Sequence, residues 1–331
     1  MFALLGSGLH HALDLVATWR IPLKKAVTQQ TLHMDGYEIV PFKATQLAWH
    51  FDELKPKQSI RPQAVPFVKW AGGKRTLVDS ILSAAPTSFE RFVEPFVGGG
   101  AVALALAHKP MLLNDANTEL IDVYRAVRDE MPILLALLDD HQARHSEAYF
   151  YQVRTQQPVQ LTPVERAARF IYLNKTCFNG LYRVNKWGQF NVPFGKHVNP
   201  ILYDQKNIKT ASLVLQGAEL YAQDYYTFLK ENARAGDFIY LDPPYVPIGQ
   251  YSDFKRYTKE QFRADDQGKL ATLYHELVAL GAYPVLSNSY SEQTLSLYAQ
   301  HTIQVVYAKR NINQDGTGRG AVREILVTPR S

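Results

Sequence analysis

The chain has 331 residues, 46% of them hydrophobic, which suffices for a large buried core and excludes a mainly disordered protein. A single cysteine, Cys177, excludes an internal disulfide and a cysteine-based zinc cluster, so no metal is expected. No apolar run reaches the roughly 18 residues that span a bilayer, no basic segment precedes Arg20, and the net charge is +5; a soluble, cytoplasmic protein is expected, with a weak pointer to a polyanionic partner.

In chain order, the pattern predicts a short helix at His11–Trp19, a strand at Tyr37–Phe42 and a helix at Ala44–Leu54 with Leu47, Phe51 and Leu54 on one face. Lys55–Pro66 carries Pro56, Pro62 and Pro66 without apolar periodicity and reads as a linker. Strand, loop and helix then alternate. Phe92–Val93 is a strand, followed by the loop EPFVGGG (94–100) and a helix at Ala101–Ala107. A second strand, Met111–Leu113, ends in Asn114-Asp115 ahead of a helix around Glu119–Val127. Residues 118–205 read as largely helical, most clearly at Glu165–Asn174, and close in a glycine- and aromatic-rich basic stretch. Strands resume at Glu219–Ala222, Phe238–Leu241 and Pro284–Ser287, with a helix at Gln267–Leu280 between the last two. Thr302–Lys309 and Val322–Thr328 form an antiparallel pair joined by a glycine-rich loop. The fold class is α/β, a mostly parallel sheet with an antiparallel edge, whose ligands sit at the carboxyl ends of the strands.

Charge distribution is more informative than net charge. Residues 166–203 contain no acid, yet they carry Arg166, Arg169, Lys175, Arg183, Lys186 and Lys196 interleaved with Phe178, Tyr182, Trp187, Phe190 and Phe194. A solvated face mixes signs; an unmixed one suggests a polyanion. The loop Phe96–Gly100 is either an ordinary tight turn or a place where backbone N–H groups meet an anionic ligand group. Asp115 follows Gly98 by 17 positions at the next strand end, as a ribose-hydroxyl acceptor or a helix cap. Asp242-Pro243-Pro244-Tyr245 ends an apolar strand with an acid, a carbonyl whose neighbour lacks an N–H, and an aromatic ring. A flipped nucleobase bearing an amino group needs that set: two acceptors and a stacking surface. Lys69-Trp70-Ala71-Gly72-Gly73-Lys74 is a basic Gly-Gly turn before the first of these strands.

These segments, in this order, resemble the Dam family of DNA adenine methyltransferases, the α group of amino-methyltransferases, over roughly Pro66 to Pro329. The resemblance implies a Rossmann-like methyltransferase fold and S-adenosyl-L-methionine as cofactor, bound by Trp70, Lys74, Gly98, Gly100 and Asp115, with Asp224 matching an acid near the cofactor adenine. Asp242, Pro243 and Tyr245 would border the cofactor and hold the target adenine for transfer to N6. Residues 178–195 resemble the family's target-recognition hairpin. There Phe178 would fill the gap left by a flipped base, and Lys69, Asn179, Leu181, Arg183, Pro193 and Lys196 would meet duplex DNA in GATC, with Lys175 and Lys186 on phosphates. The organisation implied is an N-terminal extension with linker (1–62), a catalytic domain (63–117 and 206–331) and an inserted recognition domain (118–205). Alternatives are another DNA site, cytosine N4 as target, or a non-catalytic DNA-binding regulator.

Overall fold

A computed structural model of the chain describes residues 32–34, 37–39, 63–108, 110–245, 264–309 and 321–330. The chain divides into two compact units, Met1–Ile60 and Arg61–Ser331. In the first, β1 (Leu32–Met34) and β2 (Tyr37–Ile39) pair antiparallel with Met34 opposite Tyr37. β2 is the first half of the strand expected at Tyr37–Phe42. β1 has no counterpart among the expected elements, because three residues are too few to show a period. The helices expected at His11–Trp19 and Ala44–Leu54 lie outside the described residues, as does the linker up to Pro62.

The second unit holds a seven-stranded sheet in the order β5-β4-β3-β6-β7-β9-β8. Its strands are β3 (Phe92–Glu94), β4 (Met111–Asn114), β5 (Ala218–Tyr221), β6 (Phe238–Leu241), β7 (Tyr283–Ser289), β8 (Thr302–Lys309) and β9 (Ala321–Thr328). β3 to β7 run parallel to one another, and β9 runs antiparallel to both β7 and β8. This is the methyltransferase fold expected. Alternate residues of the central strands feed two cores, one on each face of the sheet. Phe92, Met111, Leu113, Phe238 and Tyr240 join one, and Val93, Leu112, Ile239 and Leu241 join the other. Covering on both faces explains why β6 (FIYL) is apolar throughout rather than alternating.

The first face carries α1 (Val78–Ser83), α2 (Ala101–Leu106), α3 (Thr118–Asp129), α4 (Met131–Ala143), α5 (Glu147–Thr155), α6 (Pro163–Thr176) and α7 (Gln205–Leu215). The second carries α8 (Tyr225–Asn232) and α9 (Ala264–Leu280), and α10 (Glu292–Leu297) follows β7. α6 starts where the sequence is built to start a helix: Thr162 and Glu165 close a capping box and Pro163 takes the first turn. Its charges overturn part of the polyanion reading. Arg166 pairs with Asp122 (2.8 Å) and Arg169 with Glu119 (3.3 Å), both acids on α3. Two of the six cations in the acid-free run are thus neutralised across the helix pair.

The end of the expected linker belongs to the folded unit. Ala64 is buried, and the N–H and C=O of Val65 both bond the Asn207 side chain on α7 at 2.9 Å. A chain beginning at Gln63 should therefore fold and keep its activity, whereas one beginning at Pro66 should lose stability by roughly 1–3 kcal/mol as Asn207 loses its partners. Thermal melting of the two truncations tests this, and a shared melting temperature would refute it. Among the described residues, no helix is long and apolar enough to cross a membrane.

Candidate active site

β3 lies where the strand order reverses, with β4 and β5 on one side and β6 and β7 on the other, so loops after β3 and β6 diverge and leave a crevice. The loop after β3 enters α2 through Gly98 (φ +47°) and Gly100 (φ +67°), left-handed positions that disfavour any side chain. Space forbids one as well. A Cβ on Gly98 would lie 2.7 Å from the Trp70 ring, and one on Gly100 would strike the Tyr124 hydroxyl. That hydroxyl donates to the Gly98 carbonyl at 3.0 Å. Trp70 itself stacks against Tyr182 at 5.9 Å and Phe170 at 6.4 Å.

Asp115 is not a helix cap. Asn117 caps α3, accepting from Leu120 N–H at 3.1 Å. Asp115 Oδ2 instead accepts from Gly98 N–H at 3.0 Å and Oδ1 from Asn117 N–H at 2.9 Å, which pins the β4 loop to the glycine loop. Each oxygen keeps a second lone pair for a ligand hydroxyl. Burial pushes its carboxyl pKa up to about 6. Asp224 does act as a cap: its Oδ1 accepts from Tyr226 N–H (2.9 Å) and Thr227 N–H (3.3 Å) at the start of α8, and the residue is exposed.

Asp242, directly after β6, accepts from Lys74 Nζ at 2.8 Å and from Ser287 Oγ at 3.1 Å; Ser287 also shares a 2.9 Å hydrogen bond with Tyr240. Lys74, like Asp242, is expected beside the cofactor. The structure ties it to Asp242 and to the Gly72 carbonyl (2.7 Å), with its ammonium 4.6 Å from the centre of the Tyr245 ring. Burial nevertheless raises the Asp242 pKa, against the lowering effect of Lys74 and Ser287. The buried Glu94 on β3 is pushed well above the usual carboxylate range, first by burial and then by Asp242.

The two proline carbonyls of the motif differ. That of Pro244 accepts from Gln267 Nε2 (3.2 Å), which Asn288 holds in turn (2.9 Å). That of Pro243 has no hydrogen bond among the described residues. Tyr245 donates its hydroxyl to Glu324 Oε2 at 2.8 Å, and Glu324 is a buried acid on β9. Sequence reasoning missed Ser287, Gln267, Asn288, Glu324 and Tyr124. The polar run Ser287-Asn288-Ser289 ending an apolar strand was the one available signal.

The proposed DNA-contacting residues converge on one surface. Asn174, fully buried at the end of α6, bonds both the N–H (2.7 Å) and the C=O (2.8 Å) of Lys69, and the Gly180 carbonyl (3.2 Å). Lys69 is thereby held against the turn Phe178–Gly180. Phe178 is 45% exposed. Its N–H donates to the Pro193 carbonyl at 2.9 Å. Asn179 (φ +55°), Pro193 and Lys196 (φ +54°) are exposed, while Leu181 packs partly on the core. Arg183 Nε donates to Asn191 Oδ1 (2.8 Å), which fixes one edge of its planar guanidinium. Cys177 is buried, donates Sγ–H to the Leu181 carbonyl (3.2 Å) and has its pKa pushed up to about 12, mainly by burial. Among the described residues, no cluster of three His, Cys, Asp or Glu could hold a metal ion.

Comparison with known proteins bears on this arrangement. The model of the D12 class N6 adenine-specific DNA methyltransferases matches residues 70–312. The chain is 39% identical over 269 residues to the type II methyltransferase M1.LlaDCHI of Lactococcus lactis subsp. cremoris, covering 80% of this chain and 94% of that one. It is 38% identical over 283 residues to the type II methyltransferase M.MjaIII of Methanocaldococcus jannaschii, with 79% and 98% covered. It is 35% identical over 265 residues to the DNA adenine methylase of Escherichia coli strain K12, with 78% and 93% covered. With its glycine loop, strand-end acid and Asp-Pro-Pro-Tyr tip gathered in one crevice, the chain belongs to the D12 class N6 adenine-specific DNA methyltransferase family.

Proposed function

We propose that this protein transfers a methyl group from S-adenosyl-L-methionine to N6 of adenine in duplex DNA, at GATC, with the target base rotated out of the helix. The observation that carries this reading is the strand tip after β6, with an acid held by Lys74 and Ser287, the Pro243 carbonyl and the Tyr245 ring. Asp242 and the Pro243 carbonyl accept one N6–H each. That weakens delocalisation of the amine lone pair into the ring and leaves it directed out of the base plane. Tyr245 supplies the stacking face, steadied by Glu324 and Lys74. Asp242, whose burial favours its protonated form, is the group placed to receive the proton that the amine sheds. The residues mainly orient two reactants, so positioning supplies much of the acceleration.

The crevice suits the cofactor. S-adenosylmethionine, when bound, supplies a methyl group on a positively charged sulfur. Burial raises the pKa values of Asp115 and Asp242, and a cationic ligand in the crevice would favour their ionised forms. Gly98, Gly100 and Trp70 would line the site, Asp115 would accept the ribose hydroxyls, and Asp224 would approach the adenine. Because burial raises the Asp115 pKa to about 6, its acceptor form is complete above that pH and lost as the pH falls through it. Calorimetric titration should show cofactor affinity falling up to about tenfold per pH unit below pH 6. Asp115→Ala should flatten that dependence. A wild-type affinity unchanged from pH 8 to 5 would remove Asp115 from the cofactor site.

On the DNA side, Phe178 would occupy the gap left by the flipped base, whose unstacking costs a few kcal/mol. The Arg183 fork would bond O6 and N7 of a guanine, while Leu181 and Pro193 offer apolar contact to a thymine methyl. Nucleoside mass spectrometry of methylated duplex DNA, with single-molecule sequencing of DNA from cells expressing the protein, tests the whole reading. N6-methyladenine concentrated in GATC is expected. Methylcytosine, or methyladenine without GATC enrichment, would overturn the base or the site respectively. Arg183→Ala should relax selection at one guanine by about 1–3 kcal/mol, so that altered sites rise relative to GATC. Uniform loss on all sequences would make Arg183 a phosphate contact instead.

A further inference from the structure

The hairpin continues past Arg183 into a tip where Lys186, expected on a phosphate, stands beside Trp187. Val184 pairs with Phe190 across the hairpin, and Tyr182, Val184, Phe190 and Val192 are buried toward the core. Alternation puts Arg183, Asn185, Gln189, Asn191 and Pro193 on the opposite face, so the hairpin lies flat on the domain with its outer face along one surface. One side chain shapes the turn. Asn185 Oδ1 accepts from Trp187 N–H (2.9 Å) and Gln189 N–H (3.0 Å), and Asn185 Nδ2 donates to Gln189 Oε1 (2.9 Å). Gly188 supplies the left-handed position at φ +79°. On this braced turn Trp187 is 71% exposed, with the Lys186 ammonium 4.5 Å from its ring centre. Trp70, by contrast, spends its indole in an aromatic stack. Among the described residues neither tip residue has an acid partner, and no acid occurs in the sequence between positions 166 and 203.

We infer that Trp187 and Lys186 grip the sugar–phosphate backbone of duplex DNA outside the recognition sequence. The inference rests on the proposed DNA substrate and extends it to a second, sequence-independent foothold. The chemistry selects backbone over bases. An indole offers a single N–H donor and an ammonium is a point charge, so neither presents the paired donors or acceptors that distinguish base pairs. The geometry selects a flanking position. Two residues of extended chain beyond Arg183 and the turn that follows move the tip by about 7–10 Å, or about two to three base pairs of duplex. The stacked lysine keeps its charge on the outer end of the hairpin, where a phosphate would lie.

The test compares binding of the full-length protein, with S-adenosylhomocysteine present, to two GATC duplexes. One has about 20 base pairs and the other is trimmed to about two beyond the site on each side. Wild-type protein should bind the longer duplex more tightly. Trp187→Ala and Lys186→Ala should each lose roughly fivefold on the longer duplex and nothing on the shorter one. Lys186→Ala should also reduce the salt slope on the longer duplex by about 1. Asn185→Ala, which keeps both side chains but frees the turn, should reproduce part of the loss. Equal losses on both duplexes would place the pair at the recognition sequence, and unchanged affinity on both would show an idle tip; either result overturns the proposal. A wild-type protein that transfers no methyl group to duplex DNA would fail the parent reading, a result distinct from any change in length dependence.

Discussion

Replacing Asp242 should lower single-turnover methyl transfer by about a thousandfold, the scale expected for one charged group acting on the reacting atoms. Alanine alone is an unclean test. Lys74 is only 6% exposed and would be left without its carboxylate, so Asp242→Ala should also melt at lower temperature. Asp242→Asn separates the effects. Its amide oxygen can still accept from Lys74, while the negative charge that receives the amine hydrogen is gone. The asparagine variant should keep its fold and most of its cofactor affinity and still lose nearly all turnover. Rapid-quench measurement of transfer to a duplex, beside calorimetry with the cofactor, would decide. A rate within tenfold of wild type in a folded Asp242→Asn would remove the acid from the chemistry.

The second large effect is expected at Asn174, which meets none of the reacting atoms. Its side chain satisfies three main-chain groups: the N–H and C=O of Lys69 and the C=O of Gly180. Asn174→Ala empties a fully buried side-chain position, leaves all three groups without that partner, and should cost about 3 kcal/mol, or roughly 5–10 °C in melting temperature for a unit of this size. Stability is only half of the expectation. The same bonds hold Lys69 against the Phe178–Gly180 turn, where a Cβ on Gly180 would collide with the Lys69 side chain. Without them the two halves of the DNA surface lose their common register. At a temperature where the variant is fully folded, affinity for GATC duplexes should fall more than about tenfold while affinity for unrelated duplexes holds. A preserved ratio between the two would reduce Asn174 to a purely structural role.

Much of this was legible in the chain itself. Period and punctuation place β3, β4, β6, β8, α3 and α6 within a few residues of where they stand, because each must bury one face or both and the sequence repeats accordingly. The alternation of strand and helix carries the parallel sheet, and the Asp-Pro-Pro-Tyr tip carries its own chemistry in four adjacent residues. What could not be read is which side chains meet. Asp115 reads from sequence as a ribose acceptor or a helix cap; only the approach of the glycine loop makes it a brace, and the cap falls to Asn117. Arg166 and Arg169 look like DNA contacts until α3 and α6 lie side by side and Asp122 and Glu119 claim them. Lys74 finds Asp242, Asn174 finds Lys69 and Tyr245 finds Glu324 across 168, 105 and 79 positions of chain. The sequence by itself determined most of the described elements of the second unit, the sheet type and the candidate motif after β6, because local burial and backbone restriction act over a few residues. Only the tertiary structure decided the partners, because strand order rather than chain distance brings β3, β6, β7 and β9 side by side in the sheet, where a buried charge must find its counterpart.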